Sequence, residues 1–460
     1  MQVERFGIEA VRSLGPAALA AEIRRLVADV HSVSESVREI IHAVGAEGDA
    51  ALLRLTSELD LDGGQPLPLE VEEDQLNEAI TKLPRQLIAG LQVAIANVAQ
   101  VAELGVGQDG RARLPQGHLV TLREIPVGSA AVYVPGGRAP YPSTAVMGVV
   151  TARSAGVLDV AVCSPPRADG EIDPVVLGTC RLLGVQRVYR MGGAQAIAAL
   201  AHGTETVDAV DVIVGPGNLY VQEAKRQLCG RVGIDGIAGP SDLVTVCGSE
   251  ADPQLVALDL AAQAEHGEGS LVVVISHREQ VVDAVLAQLE RLSLAHPQLG
   301  LGRGAAVCAQ SPGEAVAIAD EISPEHLQLT GSEVEALAPM VRRAGCLFLG
   351  PGAAVAFGDY VAGSNHILPT GGAARFSSVL NPACFRRRMA EVRIESAAAG
   401  TLARAGAPIA EAEGFSMHAQ SMLARLQGRA QPPTAVAADQ SQSEGTDQAQ
   451  SPVIGDNPQS

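Results

Sequence analysis

The stretch RVYRMGGAQAIAALA (187–201) decides the fold. A short apolar run ends at a Gly-Gly pair, and an Ala-rich segment of helical character follows. VYVPGG (132–137) repeats the strand and Gly-Gly of VYRMGG (188–193), a pattern that duplication leaves and that an Ala/Gly/Val-rich chain also produces by chance. Outward from these runs the alternation continues: AAVYVP (130–135), DVAVCSPP (159–166), DVIVGPG (211–217), DLVTVCG (242–248), SLVVVIS (270–276), AAVCAQ (305–310) and LFLGPG (347–352). Strands alternating with helices imply βαβ units and a mostly parallel, right-handed sheet. At least eight strands are too many for one modest sheet. The expectation is an α/β protein with two Rossmann-like parallel-sheet domains, flanked by small helical segments at both ends.

Residues 20–105 read differently. Ile23, Val27 and Val30, then Val37, Ile40, Ile41 and Val44, recur at helical spacing, while 58–64 reads as a loop. After Arg429 the chain turns to Pro, Gln, Ser, Ala and Asp, with four acids and no base; it is expected to be a disordered tail.

Composition narrows the class. The 460 residues are 47% apolar, yet hold no Trp, five Tyr and six Phe, so the core must be Ala, Val, Leu and Ile packed around parallel strands. Net charge is −19, which argues against nucleic acid and anionic membranes, since both reward basic excess. Seven dispersed cysteines without a C-x-x-C fit buried thiols in a reducing cytosol. No signal-peptide h-region and no run of 18 apolar residues is present, so no membrane span is expected.

The chemistry-bearing motifs lie at element boundaries. DPQLVALDLAAQAEHG (252–267) reads as one helix: Asp252 caps it, Pro253 opens it, Gly267 ends it. Gln263 and His266 then share a face, although a His at a helix C-terminus is also simply favourable there. EISPEHLQLTG (321–331) sets Glu325-His326 just before a strand. His can take an alcohol proton near neutral pH, and Glu can activate water or stabilise an imidazolium. FGDYVAGSNHILPTGG (357–372) surrounds Asp359, Ser364, Asn365 and His366 with glycines, as a backbone shaped around a ligand does. EAEGFSMHAQSM (411–422) adds Glu413 and His418, which also suit an exposed helix face. RMGGAQAIAAL places Gln195 at a helix start, and VGPGNLYVQEAK (214–225) places Asn218 between strand and helix. Both could aim backbone N–H groups at a phosphate, but G-x-G-x-x-G is absent, and pattern alone does not name NAD. Gln, His, Asp and His gathered in one place would suit zinc, with manganese or cobalt as alternatives.

Together these motifs resemble the histidinol dehydrogenase family. VYVPGGRAPYPST, GGAQAIAALAHGTETV, VGPGNLYVQEAKR, AGPSD, AAQAEHG, ISPEHLQL, GDYVAGSNHILPTGG and EAEGFSMHA follow that family's order over about 130–425. VREIIHAVGAEGDAALLRLTSELD (37–60) extends the likeness. The resemblance implies oxidation of L-histidinol through the aldehyde to L-histidine, with two NAD reduced, in the cytoplasm. It implies Zn2+ on Gln263, His266, Asp359 and His418, with Glu325 and His326 as the acid/base pair. Substrate contacts would come from Ser241, Gln263, His266, His326, Asp359, His366, Glu413 and His418, and NAD contacts from Tyr133, Gln195 and Asn218. It implies a homodimer in which a C-terminal segment completes the partner's site. The domains expected are an N-terminal helical arm (1–27), a Rossmann-like domain carrying most metal and catalytic residues (28–132 and 242–380), an NAD-binding domain (133–241), a dimer-exchange segment (381–429) and the tail (430–460).

The sequence departs from the family at Gly148 and Thr151, where Asn and Pro are common, and at Gly236 and Ile237, where Met and Pro or Leu are usual. These positions bear on substrate fit and rate. Two other activities share the motifs in principle: a dehydrogenase of another polar alcohol such as a sulfonated diol, and a non-catalytic metal-binding derivative.

Overall fold

The computed structural model describes residues 2–27, 33–136, 139–267, 269–297 and 302–427. The expected tail, and Gly137 and Arg138 of the Gly-rich stretch after 132, lie outside the described residues. The strands run β1 (Gln2–Phe6), β2 (Gly110–Arg113), β3 (Leu119–Pro126), β4 (Ser129–Tyr133), β5 (Asp159–Ser164), β6 (Val188–Arg190), β7 (Val212–Val214), β8 (Gly233–Ile234), β9 (Asp242–Cys247), β10 (Leu271–Ser276), β11 (Arg303–Cys308), β12 (His326–Thr330), β13 (Cys346–Leu349) and β14 (Arg386–Arg393).

Two parallel sheets form, as the alternation of strands and helices requires. One has order β1-β11-β10-β9-β12-β13, the other β6-β5-β4-β7-β8. All eight apolar runs quoted above become strands. Every residue of β9, β10 and β12 is buried, because helices cover both faces. Val-rich sequence suits such strands: β-branched side chains pack well on a pleated surface.

The N-terminus departs from the helical arm expected. Gln2–Phe6 is a strand, paired in parallel with β11, Gln2 opposite Arg303. Five residues are too few to show a period, and it is the free edge of β11 that recruits them. The helix Ile8–Arg24 follows and buries Val11, Leu19 and Ile23 with Val244, Val246 and Leu327.

The grouping of 28–132 with 242–380 is also corrected. Val37, Val44 and Leu52 pack with Tyr189, Met191 and Ile197, and Leu76, Leu91 and Val98 pack with Val132, Val162 and Val188. The helices carrying those residues therefore cover the five-stranded sheet, whose two faces need cover. Arg85–Leu104 is the one described helix long and apolar enough to cross a membrane by length and composition, and it buries Leu91, Ala94 and Val98 in this core.

The described chain divides into two compact units. The first falls within 1–109 and 122–389 and holds both parallel sheets; the second falls within 110–121 and 390–460. The second unit begins later than the expected segment at 381 and takes in 110–121, because β2, β3 and β14 form a small sheet in the order β14-β3-β2. Its helices Ser396–Ala412 and Ser416–Leu423 pack through Ala407, Ala410 and Ala419.

Candidate active site

The site of the first unit is built where β9 and β12 begin. The strands are parallel neighbours, with His326 opposite Leu243. Ligands of open α/β sheets ordinarily lie beyond the carboxyl ends of strands. Here Glu325-His326 and Ser241-Asp242 meet at the amino ends. A tight turn delivers them. Ser323 caps the helix Pro312–Ile322 in the left-handed region, at φ 54°, an uncommon conformation for a residue with a side chain. Arg24 clamps the turn: Nη2 donates to the carbonyls of Ile322 at 2.7 Å and Ser323 at 3.1 Å, while Nη1 donates to Asp242 Oδ2 at 2.6 Å.

A relay of hydrogen bonds joins four residues. Gln263 Nε2 donates to Ser241 Oγ at 2.6 Å, and Ser241 Oγ donates to Glu325 Oε2 at 2.5 Å. Asp242 N donates to the same oxygen at 3.1 Å, and Glu325 N donates to Asp242 Oδ1 at 2.8 Å. His326 Nδ1 lies 3.3 Å from the carbonyl of Asp242, and its Nε2 is 3.7 Å from Asp359 Oδ1. With Nδ1 donating to that carbonyl, Nε2 is the basic nitrogen.

The electrostatics follow from burial and from crowded carboxylates. Burial pushes Glu325 up to about 7; the nearby His326 charge opposes this and the Asp242 charge adds to it. Burial pulls His326 down, but the charges of Glu325, Asp359 and Asp242 outweigh it and hold His326 at about 9. Asp359 is held below its usual value: burial opposes this, but His326, His366 and His266 together prevail.

The expected residues divide into those brought together and those in the second unit. Ser241, Gln263, Glu325, His326 and Asp359 are gathered by the contacts above, and the His266 and Asp359 charges interact. Gln263 is buried in the last turn of the helix Pro253–Ala264 that Asp252 caps, while His266 is exposed in the turn just past its end, so the helix stops before the Gly267 expected. Asp359 stands in a short helix, Ala356–Tyr360, rather than in open loop. His366 Nδ1 faces the Asp359 carbonyl at 2.9 Å and Nε2 faces Thr144 Oγ1 at 3.1 Å, which ties the imidazole to the backbone at Asp359. Glu413 and His418 belong to the second unit, where both are exposed.

Sequence inspection missed Arg24 and Asp242. Asp242 carried a signal, since it follows Ser241 in AGPSD; Arg24 carried none, lying on a helix 298 residues from its partner Ile322.

The cofactor candidates occupy the carboxyl ends of the five-stranded sheet, the side that open α/β sheets ordinarily use. Tyr133 ends β4, Gln195 is in the first turn of the helix after β6, and Asn218 caps the helix after β7. Tyr133 Oη accepts from Gly193 N at 3.2 Å, and Asn218 Oδ1 accepts from Tyr220 N and Val221 N. Beneath Asn218, Lys225 Nζ bridges the Gly215 carbonyl at 2.5 Å and Asp235 Oδ1 at 2.7 Å. Gly215 has φ 118°, and a Cβ there would fall 2.1 Å from the Tyr133 carbonyl, so only glycine lets the two loops approach this closely. The buried Gln195 Oε1, which has no partner among the described residues, fits a cofactor that brings a hydrogen-bond donor.

No three His, Cys, Asp or Glu side chains form a ready metal cluster among the described residues. The donors nonetheless suit a divalent ion. Gln263 gives its Nε2 to Ser241 and so keeps its amide oxygen free for other use, Asp359 is ionised, and His266 is exposed beside it. An amide oxygen, a carboxylate and an imidazole leave a fourth ligand to come from elsewhere.

The departures at 148 and 151 are packed into the structure. A Cβ on Gly148 would lie 2.5 Å from Val132 Cγ1, and Thr151 Oγ1 accepts from Asn365 Nδ2 at 3.1 Å. The Thr hydroxyl thereby ties the helix Pro142–Ser154 to the stretch before His366. Gly236 donates its N–H to Asp235 Oδ1 at 2.9 Å, and Ile237 is exposed.

The family model described as histidinol dehydrogenase matches residues 23–426. A histidinol dehydrogenase of Haloarcula marismortui is 41% identical over 92% of this chain and 100% of its own length. One of Parasynechococcus marenigrum is 40% identical over 88% and 95%. The crystal structure of histidinol dehydrogenase from Elizabethkingia anophelis superposes with a TM-score of 0.85 at 29% identity, covering 92% of this chain and 98% of that one.

Proposed function

Because the chain belongs to the histidinol dehydrogenase family, we propose that it oxidises L-histidinol through L-histidinaldehyde to L-histidine, reducing two NAD in turn. The observation that carries the reading is the relay from Gln263 through Ser241 to Glu325, set beside His326 and Asp359. It joins residues that would hold an ion to residues that move protons.

Zinc, held by Gln263, His266, Asp359 and a His418 contributed by a second copy, would supply an anchor for the amino and imidazole nitrogens of the substrate. NAD, beside Tyr133, Gln195 and Asn218, would supply the hydride acceptor. His326 takes the alcohol proton on Nε2, while Nδ1 stays bound to the Asp242 carbonyl. A base must be neutral, and the charge of Glu325, then that of Asp359, holds His326 high. A cation on Asp359 would remove the Asp359 share of that pull. Glu325 then removes a proton from water at Oε1, because Ser241 and Asp242 N both occupy Oε2. The hydrated aldehyde would then give its remaining C–H hydride to the second NAD and a hydroxyl proton to His326, and leave as the acid. His366 acts by fixing Asp359.

Exposed His418 and Glu413 support a homodimer in which the second unit completes the partner's site, and seven free cysteines support a reducing, cytoplasmic setting. The test is the NADH yield per L-histidinol, with and without chelator. Two NADH per substrate, abolished by chelation, is expected. No NADH from L-histidinol while another polar alcohol turns over would sink the proposal.

A further inference from the structure

The chemistry above leaves Asp60, the partner of Gln195, unexplained. Gln195 is 1% exposed in the first turn of the helix Gly193–His202. Its Nε2 donates to Asp60 Oδ2 at 3.1 Å, while its Oε1 is buried and unpartnered among the described residues. A buried carbonyl oxygen without a donor is unfavourable unless a ligand provides one. The backbone approaches the amide closely at the same point. Gly193 has φ 62°, and a Cβ there would fall 2.5 Å from Gln195 Oε1. Gly193 N is committed to Tyr133 Oη, so it does not satisfy the amide.

Asp60 is the C-cap of the helix Asp49–Leu59 and enters this site from far along the chain. A primary amide has two nearly isosteric orientations, one offering N–H and one offering oxygen. An ionised carboxylate only accepts, so it turns Nε2 toward itself and leaves Oε1 facing away. Burial pushes Asp60 up to about 6, opposed by the Gln195 hydrogen bond, and at mildly alkaline pH the group is ionised.

We propose that Asp60 is a positioning residue for the dinucleotide: its carboxylate fixes the Gln195 amide so that Oε1 is presented to an N–H or O–H donor of the bound cofactor. The inference rests on Gln195 being an NAD contact. The donor is an adenine amine, a ribose hydroxyl or the nicotinamide carboxamide; ADP-ribose, which lacks the nicotinamide, separates the carboxamide from the other two, since only for a carboxamide donor would the Asp60 variants leave ADP-ribose affinity unchanged.

The test is calorimetric titration of zinc-loaded, full-length protein with NAD and with ADP-ribose. Asp60→Asn offers Gln195 either a donor or an acceptor and so frees the amide. It should weaken NAD about 5- to 30-fold, the range of one lost hydrogen-bond preference. Asp60→Ala, which removes the partner altogether, should weaken NAD by a similar factor. In the Gln195→Ala background neither change should weaken NAD further, since the two residues act as one unit. The KM for NAD should rise by the same factor, while kcat at saturating NAD and the KM for L-histidinol hold; a merely structural role would move these and the thermal midpoint instead. Unchanged NAD affinity in both Asp60 variants overturns the inference and leaves Asp60 as a helix cap. Wild-type protein that binds no NAD removes the cofactor reading of Gln195 itself, and this inference falls with it.

Discussion

Asp242 and Glu325 hold each other twice: Glu325 N donates to Asp242 Oδ1 at 2.8 Å, and Asp242 N donates to Glu325 Oε2 at 3.1 Å. The pair bridges the first residue of β9 to the residue before β12. Arg24 closes the same carboxylate from the other side. Glu325 is thus oriented by backbone and charge before any substrate arrives.

Asp242→Ala should destabilise the protein by about 3–5 kcal/mol, because it strips a partner from the Arg24 charge and from the Glu325 amide inside the core. Urea unfolding measures this. A loss below about 1 kcal/mol would mean that the clamp contributes little, a size typical of surface ion pairs.

Glu325→Gln should leave zinc content and the first oxidation largely intact. Oxidation of added histidinaldehyde should fall about 10²- to 10⁴-fold, the usual worth of a general base. In the wild type the second oxidation should rise with pH through about 7, as Glu325 ionises, and this limb should vanish in the variant. Stopped-flow NADH traces at several pH values read both effects, and unchanged aldehyde turnover in the variant would refute the assigned role.

His418→Asn should lose zinc on dialysis while the first unit stays folded. Mixing it with Glu325→Gln protein under conditions of subunit exchange should restore partial activity, since one site of a mixed dimer then has every residue intact. No recovery after verified exchange would count against a second unit shared between copies.

Gly148→Ala should cost about 1–3 kcal/mol by overpacking against Val132. Adding Val132→Ala should return part of that loss, because it removes the methyl groups in the way. Thermal melts of the single and double variants decide the point; a stable single variant would show that the helix can shift away from β4.

The sequence determined the classes of element. Eight apolar runs separated by helical segments specified two parallel sheets, and each run became a strand because Val-rich segments of that length bury well only between helical layers. It also offered Glu325, His326, Gln263 and Asp359 as candidates, since the ordered run of motifs is far more specific than any one of them. It left open the strand Gln2–Phe6, the allegiance of residues 33–104 to the five-stranded sheet, and the parts of Arg24, Asp242 and Asp60. Only the tertiary structure decided these. A five-residue strand carries no period, and an edge or a sheet face is claimed by whichever segment the whole chain can bring to it. Arg24 and Asp60 act at sites far from them in sequence, so their roles exist only as distances. For Glu325-His326, the sequence named the pair, and the structure supplied the carboxylates and carbonyl that set their protons.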